Sequence, residues 1–235
     1  MAGEESGSER SGLKTLLGLA PLFDDRCDAG RALASALEGE RGPNTVVVGL
    51  ARGGAEVAAV VARALEAPLD VVAVRKIGHP LQPEYGIGAV TPGDGVYVRR
   101  RDGLTAEQLA RTVEGAKTKA VQLDRRLHAE HPRLELRGKT VLVVDDGLAT
   151  GATMIAALRW AKAAGAVRVV AAVPVAPASS LGLISSEASE VVCLHAPRDF
   201  SVVGAWYRSF DQIDDKAVIR LIADHRHEAR APVSP

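Results

Sequence analysis

The stretch TVLVVDDGLATGAT, Thr140 to Thr153, decides how this chain is read. Thr140 to Val144 is a run of β-branched and aliphatic residues without polar alternation, the pattern of a short strand buried on both faces. Asp145 and Asp146 follow at once. Adjacent ionised carboxylates repel, so the pair calls for hydrogen bonds, a cation or a ligand rich in hydroxyls. Gly147 to Thr153 then supplies small residues, two threonine hydroxyls and the start of a helix, whose free N–H groups and dipole favour phosphate. Hydroxyls at one end and phosphate at the other describe ribose 5-phosphate. Taken alone, the acids could equally cap the strand end and TGAT serve as a helix N-cap.

Working outward, TVVVGL (Thr45 to Leu50) is a second buried strand. It is followed by Arg52-Gly53-Gly54 and by a helix whose Val57, Val60, Val61, Ala64 and Leu65 form one apolar stripe. Further strands are expected at Leu69 to Val74, Val167 to Val173 and Glu190 to Leu194, with a helix from about Thr153 to Ala164. Strands alternating with helices predict an α/β fold, a doubly wound and mostly parallel sheet of about five core strands. Ligands bind such sheets at the carboxyl ends of the strands.

Between the second and third strands lies a Gly/Pro-rich excursion, Lys76 to Lys139. It reads as a flexible flap followed by a covering helix with Leu109, Val113, Ala116, Ala120, Leu123 and Leu127 on one face. Thr105 and Gln108 predict a capping box at its start. One domain over 21–224 is expected, with flap and covering helix at 76–139 and a C-terminal hood at 196–224. Residues 1–20 and 225–235 are expected to be disordered tails, because they offer little apolar surface to offset ordering entropy.

Of the 235 residues, 47% are hydrophobic and only 3% aromatic, so the core should be aliphatic. Lys+Arg and Asp+Glu both count 29, which removes any global electrostatic case for nucleic acid. Arg99-Arg100-Arg101, without neighbouring aromatics, reads as a solvated hairpin end. Cys27 and Cys193 have no metal-like spacing, and free thiols point to a cytoplasmic protein. The polar, acidic opening suggests no secretory signal, and no eighteen-residue apolar run suggests a membrane partner. There is no GxxxxGK[ST], and GLARGG is not GxGxxG, so a Walker-type NTPase and a dinucleotide fingerprint both fit poorly.

Four apolar residues, two acids, three spacers, Thr150-Gly151, a spacer and Thr153 resemble the 5-phosphoribosyl-1-diphosphate (PRPP) signature of the type I phosphoribosyltransferases. The resemblance extends over about Phe23 to Asp215. It implies that Asp145 and Asp146 hold the ribose hydroxyls directly or through Mg²⁺, and that Ala149, Thr150, Gly151, Ala152 and Thr153 hold the 5-phosphate. By the same resemblance the loop Ala51-Arg52-Gly53-Gly54, helped by Arg75 and Lys76, binds the diphosphate, and the peptide there is often strained, even a non-proline cis bond. RKIGHPLQPEYGIGAV is similar to the flap of adenine phosphoribosyltransferases, which implies that Glu84, a third candidate catalytic residue, and Tyr85 close over the reacting centre and exclude water. His79 is either a proton-transfer candidate or an exposed loop histidine.

PRDFSVVGAWYRSF (Pro197 to Phe210) resembles the hood of hypoxanthine-guanine phosphoribosyltransferases, where an aromatic before V-V-G stacks on the base. Phe200 matches that aromatic, and Trp206 and Tyr207 are either further stacking candidates or anchors of the hood to the core. Two departures bear on the acceptor. Ala149 stands where 6-oxopurine enzymes carry an acid, and Pro174-Val175-Ala176-Pro177 holds no lysine for a 6-oxo group. The resemblance thus implies a Mg²⁺-dependent transferase moving ribose 5-phosphate from PRPP to, or from, a nitrogen of a nucleobase-like small molecule, with diphosphate released; the acceptor and a homodimeric state stay open. The alternatives are a non-catalytic PRPP-sensing regulator that binds RNA or a protein, and a domain serving a hydrolase encoded or fused elsewhere.

Overall fold

The structure, a computed structural model, describes residues 21–228. The tail expected at 1–20, and residues 229–235 of the tail expected at 225–235, lie outside the described residues. Five strands form the central sheet: β1 (Thr45–Ala51), β2 (Leu69–Ala73), β6 (Thr140–Val144), β7 (Arg168–Val175) and β8 (Glu190–His195). Their order is β2-β1-β6-β7-β8, every pair parallel, with Thr45 opposite Thr140 and Thr140 opposite Arg168. The α/β, doubly wound sheet of the sequence reading is therefore the fold, with strand ends moved by one or two residues.

Strand alternation divides the core into two layers. Val46, Val48, Val141 and Val143 point to the face covered by α4 (Ala152–Ala163), where Met154, Ile155 and Leu158 pack on them. Val47, Leu142 and Val144 point to the other face, against Leu33 and Leu37 of α1 (Arg26–Ala36) and its C-cap, and Val57, Val61 and Leu65 of α2 (Gly53–Leu65). Burying a side chain of this size contributes roughly 1.5–3 kcal/mol, so the two aliphatic layers fix the positions of the strand ends.

The flap is a second sheet, antiparallel, of β3 (Arg75–His79), β4 (Gln82–Val90) and β5 (Val96–Val98). Its base, with Ile77, Ile87 and Val90, is buried beneath α3 (Ala106–Leu127), while Gln82 to Gly86 is exposed. The capping box of α3 is present: Thr105 Oγ1 accepts from Gln108 N at 3.2 Å, and Thr105 N donates to Gln108 Oε1 at 2.9 Å. The loop after β7 leads into α5 (Ala178–Ser185), and α6 (Asp215–Glu228) closes the described chain. Val218 and Ile222 of α6 pack on Val71, Ala73, Leu123 and Leu127. That packing carries the helix to Glu228, so residues 225–228, expected in the tail, are helical.

The hood is stitched to the segment before α1. Leu22 N and Phe23 N donate to Trp206 O, and Arg208 N donates to Phe23 O. No helix among the described residues is long and apolar enough to cross a membrane.

Candidate active site

A cleft of about 640 Å³ opens at the carboxyl ends of β1 and β6. Its floor is Asp145, Asp146 and Gly147; one end is Ala149, Thr150, Ala152 and Thr153. Arg52 and Gly53 line it from the β1 loop, and Lys76, Glu84, Gly86, Gly88 and Arg99 from the flap. Val203, Phe210, Gln212 and Ile213 form the hood side, with Arg26 beside the acids.

The acid pair is drawn in from solvent by the depth of β6; the Asp146 side chain is 14% exposed. Asp145 Oδ1 accepts from Asp146 N at 3.0 Å, and Asp146 Oδ2 accepts from Arg26 Nε at 2.8 Å. Burial, then the neighbouring Asp146 charge, pushes the Asp145 carboxyl well up. Burial also pushes Asp146 up, and the Arg26 guanidinium opposes that rise. Two close carboxylates in such surroundings favour a cation or hydroxyl donors. Among the described residues no group of three or more His, Cys, Asp or Glu is placed to hold a metal ion. Two carboxylate donors suit Mg²⁺ when phosphate oxygens and water complete its shell, which is how this ion is commonly held.

The loops seat closely on this pair. A Cβ on Gly53 would lie 2.0 Å from Asp146 Oδ2, and one on Gly54 would lie 2.8 Å from both Asp145 Cα and Val144 O. Only glycine permits that approach. The Ala51–Arg52 peptide is cis. Beyond the acids, Gly151 takes φ +75° and starts α4, leaving the first N–H groups of that helix directed at the end of the cleft. Ser180 Oγ of α5 donates to Ala149 O at 3.1 Å and braces the loop.

A model of the phosphoribosyl transferase domain matches residues 23–207. The chain belongs to that family. Two Mycobacterium tuberculosis proteins, of strains CDC 1551 and H37Rv and each described as a "putative phosphoribosyl transferase", are 45% identical over 216 residues, 89% of this chain and 48% of each relative. The chain thus spans about half the length of the curated relatives it matches. The crystal structure of a Thermus thermophilus protein is 39% identical, with 86% of this chain and 98% of that one covered and a TM-score of 0.74.

Within this phosphoribosyl transferase domain, some residues singled out in the sequence lie elsewhere. Lys76 lines the cleft, but Arg75 does not. Successive residues of β3 face opposite sides, and Arg75 turns toward Arg52, Arg126 and Asp215, where burial pulls its pKa down and its Nε has no partner among the described residues. The same alternation on β4 sends Glu84 to the cleft and Tyr85 to the outside, where Arg100 Nη1 donates to its hydroxyl. His79 does not line the cleft; its Nδ1 accepts from Leu81 N at 3.3 Å. Gly54 and Gly151 shape the loops without lining the space. Arg52 lines it while donating from Nη1 to Ile213 O at 3.2 Å, with Asp215 at 3.8 Å.

The two stacking candidates lie outside the cleft. Trp206 is 5% exposed and packs with Phe23, Ala29, Val175 and Tyr207, so it anchors the hood to the core. Phe200 stacks on Trp206, ring centroids 6.1 Å apart, and neither ring lines the cleft. Phe210 and Val203 occupy that wall instead. Tyr207 is fully buried and donates its hydroxyl to Asp146 O at 2.5 Å. Burial, then the Asp146 charge, pushes its pKa up. Arg26 and Arg99, neither singled out as a site residue, also line the cleft. Only the triple-arginine run drew attention to Arg99, and Arg26 sits among ordinary helix-forming residues with no local signal.

Proposed function

We propose that this domain is a Mg²⁺-dependent phosphoribosyltransferase that moves ribose 5-phosphate between PRPP and a nitrogen of a nucleobase-like small molecule. One observation carries the reading: the half-buried Asp145-Asp146 pair and the helix start at Thr150 to Thr153 open into the same cleft. A diol reader and a phosphate cradle a few residues apart match the two ends of a ribose 5-phosphate. Arg52, Gly53 and Lys76 then face the diphosphate, and Val203 and Phe210 the acceptor. Mg²⁺, held by Asp145 and Asp146 directly or through water, would neutralise diphosphate charge when bound.

In the transfer, the bond from C1 to the diphosphate oxygen breaks and a bond from C1 to the acceptor nitrogen forms. No covalent nucleophile on the protein is required. Positioning and charge stabilisation lower the barrier, with Lys76 and Arg52 receiving the departing anion. Glu84, on the exposed half of β4, comes over the reacting centre as the flap closes and displaces water.

Calorimetry with Mg²⁺ and PRPP tests the reading. Binding that weakens at least about tenfold in Asp146→Asn supports it; no binding, or unchanged binding in the variant, refutes it. A diphosphate-release assay across a panel of bases then separates catalysis from sensing, since PRPP binding without turnover and a PRPP-dependent shift of an RNA or protein partner would mark a regulator.

A further inference from the structure

We propose that Arg26 is a positioning residue that locks Phe210, the aromatic wall of the cleft, to Asp146 on its floor. The contacts belong to the structure itself; only the meaning of the two sides, sugar and acceptor, rests on the reading above. Arg26 opens α1, and its side chain is 8% exposed although it reaches the cleft. From there the guanidinium serves several partners at once. Nε donates to Asp146 Oδ2 at 2.8 Å, Nη1 donates to Asp211 O at 2.8 Å, and the plane lies over the Phe210 ring, 3.8 Å from its centroid. Glu56 Oε2 of α2 is 3.7 Å from Nη1 and balances the charge further.

This combination is specific to arginine. A flat, delocalised cation can place one edge on a carboxylate, another on a carbonyl and its face on an aromatic ring, whereas an ammonium has three donors on one nitrogen and no planar face to lay on the ring. The residues joined are far apart in the chain: Asp146 is 120 positions from Arg26 and Asp211 is 185. The hood has little regular structure between Ser201 and Asp214 apart from the short turn Val203–Trp206. Arg26 therefore holds the segment that carries Phe210, and it does so through the carboxylate that reads the sugar. Anything that moves Asp146 is transmitted to the acceptor wall, and a ligand stacked on Phe210 is felt at Asp146.

The test is a double-mutant cycle on the full chain with Arg26→Gln, Phe210→Leu and the double variant. Mg²⁺-PRPP affinity is read by calorimetry and the amides of residues 203–213 by hydrogen exchange. Arg26→Gln is expected to speed exchange across 203–213 at least about tenfold while β6 stays protected. Phe210→Leu is expected to weaken PRPP about threefold in the native background and to add nothing in Arg26→Gln. Independent, multiplicative effects on affinity, or hood exchange unchanged by Arg26→Gln, overturn the proposal. Should Arg26→Gln fail to fold, Arg26→Lys replaces it with the same expectations, because lysine cannot bridge all three partners. If the native protein binds no PRPP, the proposed function falls, and hydrogen exchange alone still decides the role of Arg26.

Discussion

Gly53→Ala separates the sugar site from the stability of the fold. The added methyl would start 2.0 Å from Asp146 Oδ2 and 3.2 Å from Arg26 Nε. Ordinary contact begins at 3.4 Å, so the carboxylate oxygen must retreat by at least about 1.4 Å. That retreat breaks the 2.8 Å bond to Arg26 Nε and leaves a buried guanidinium edge unsatisfied, at a cost of about 1–3 kcal/mol. Positioning errors near 1 Å cost on the order of a hundredfold in catalysis, and a hydroxyl reader displaced by more than that should lose most of its grip. Calorimetry with Mg²⁺-PRPP should therefore show an affinity fall of at least about thirtyfold, with Tm lowered by roughly 2–12 °C. Gly54→Ala is the contrast: its methyl would meet the Asp145 Cα and Val144 O, backbone atoms that cannot swing aside, so there the fold should suffer first. A Gly53→Ala protein that binds PRPP within about threefold of the native one would refute the argument, because the loop would then not be seated on Asp146.

Three further outcomes can be measured on the same protein. Asp145→Asn should raise the Tm of the ligand-free protein by about 2–6 °C while weakening PRPP, since burial and the neighbouring Asp146 disfavour an ionised carboxyl there and an amide removes that penalty; a lower Tm contradicts this. Trp206→Ala should lower stability by about 3–5 kcal/mol in chemical denaturation and leave PRPP affinity unchanged, and a small loss paired with a raised acceptor KM would return Trp206 to the stacking role. Stability should also decline in alkali through His128: burial pulls its pKa down, but bonds to Asp124 and the fully buried Asp70, 2.9 Å from Nε2, push it up to about 9. A group raised above its unfolded value near 6.5 contributes stability that is complete below that pH and is lost as pH rises through 9, about 1–2 kcal/mol after allowance for solvent screening, so melts from about pH 6 to 10 should show a fall that His128→Gln removes.

What could be read in advance was the chemistry carried by contiguous residues. Val141 to Val144, the acids and the loop to Thr153 form one strand, one turn and one helix start, and each part announces itself by local pattern. The flap hid its strands. Its glycines, at 78, 86 and 88, read as loop, yet Gly88 is a strand residue whose missing side chain lets Tyr97 O approach, where a Cβ would stand 2.2 Å away. With no strand recognised there, nothing warned that Arg75 and Lys76, or Glu84 and Tyr85, must face opposite ways.

The hood shows the same limit in another form. Phe200 matched a motif by position, but the wall of the cleft is set by which ring Arg26 can cover, and that depends on a helix far upstream in the chain. On the proposed function, the sugar phosphate would be read by contiguous loops and the acceptor by a surface assembled from α1, the hood and the flap. Ligand class would then be encoded locally and acceptor choice non-locally. It follows that substitutions at Arg26, Arg99 or Phe210 can change the acceptor while the stretch from Thr140 to Thr153 stays the same, and relatives that share this stretch can differ in the molecule they modify.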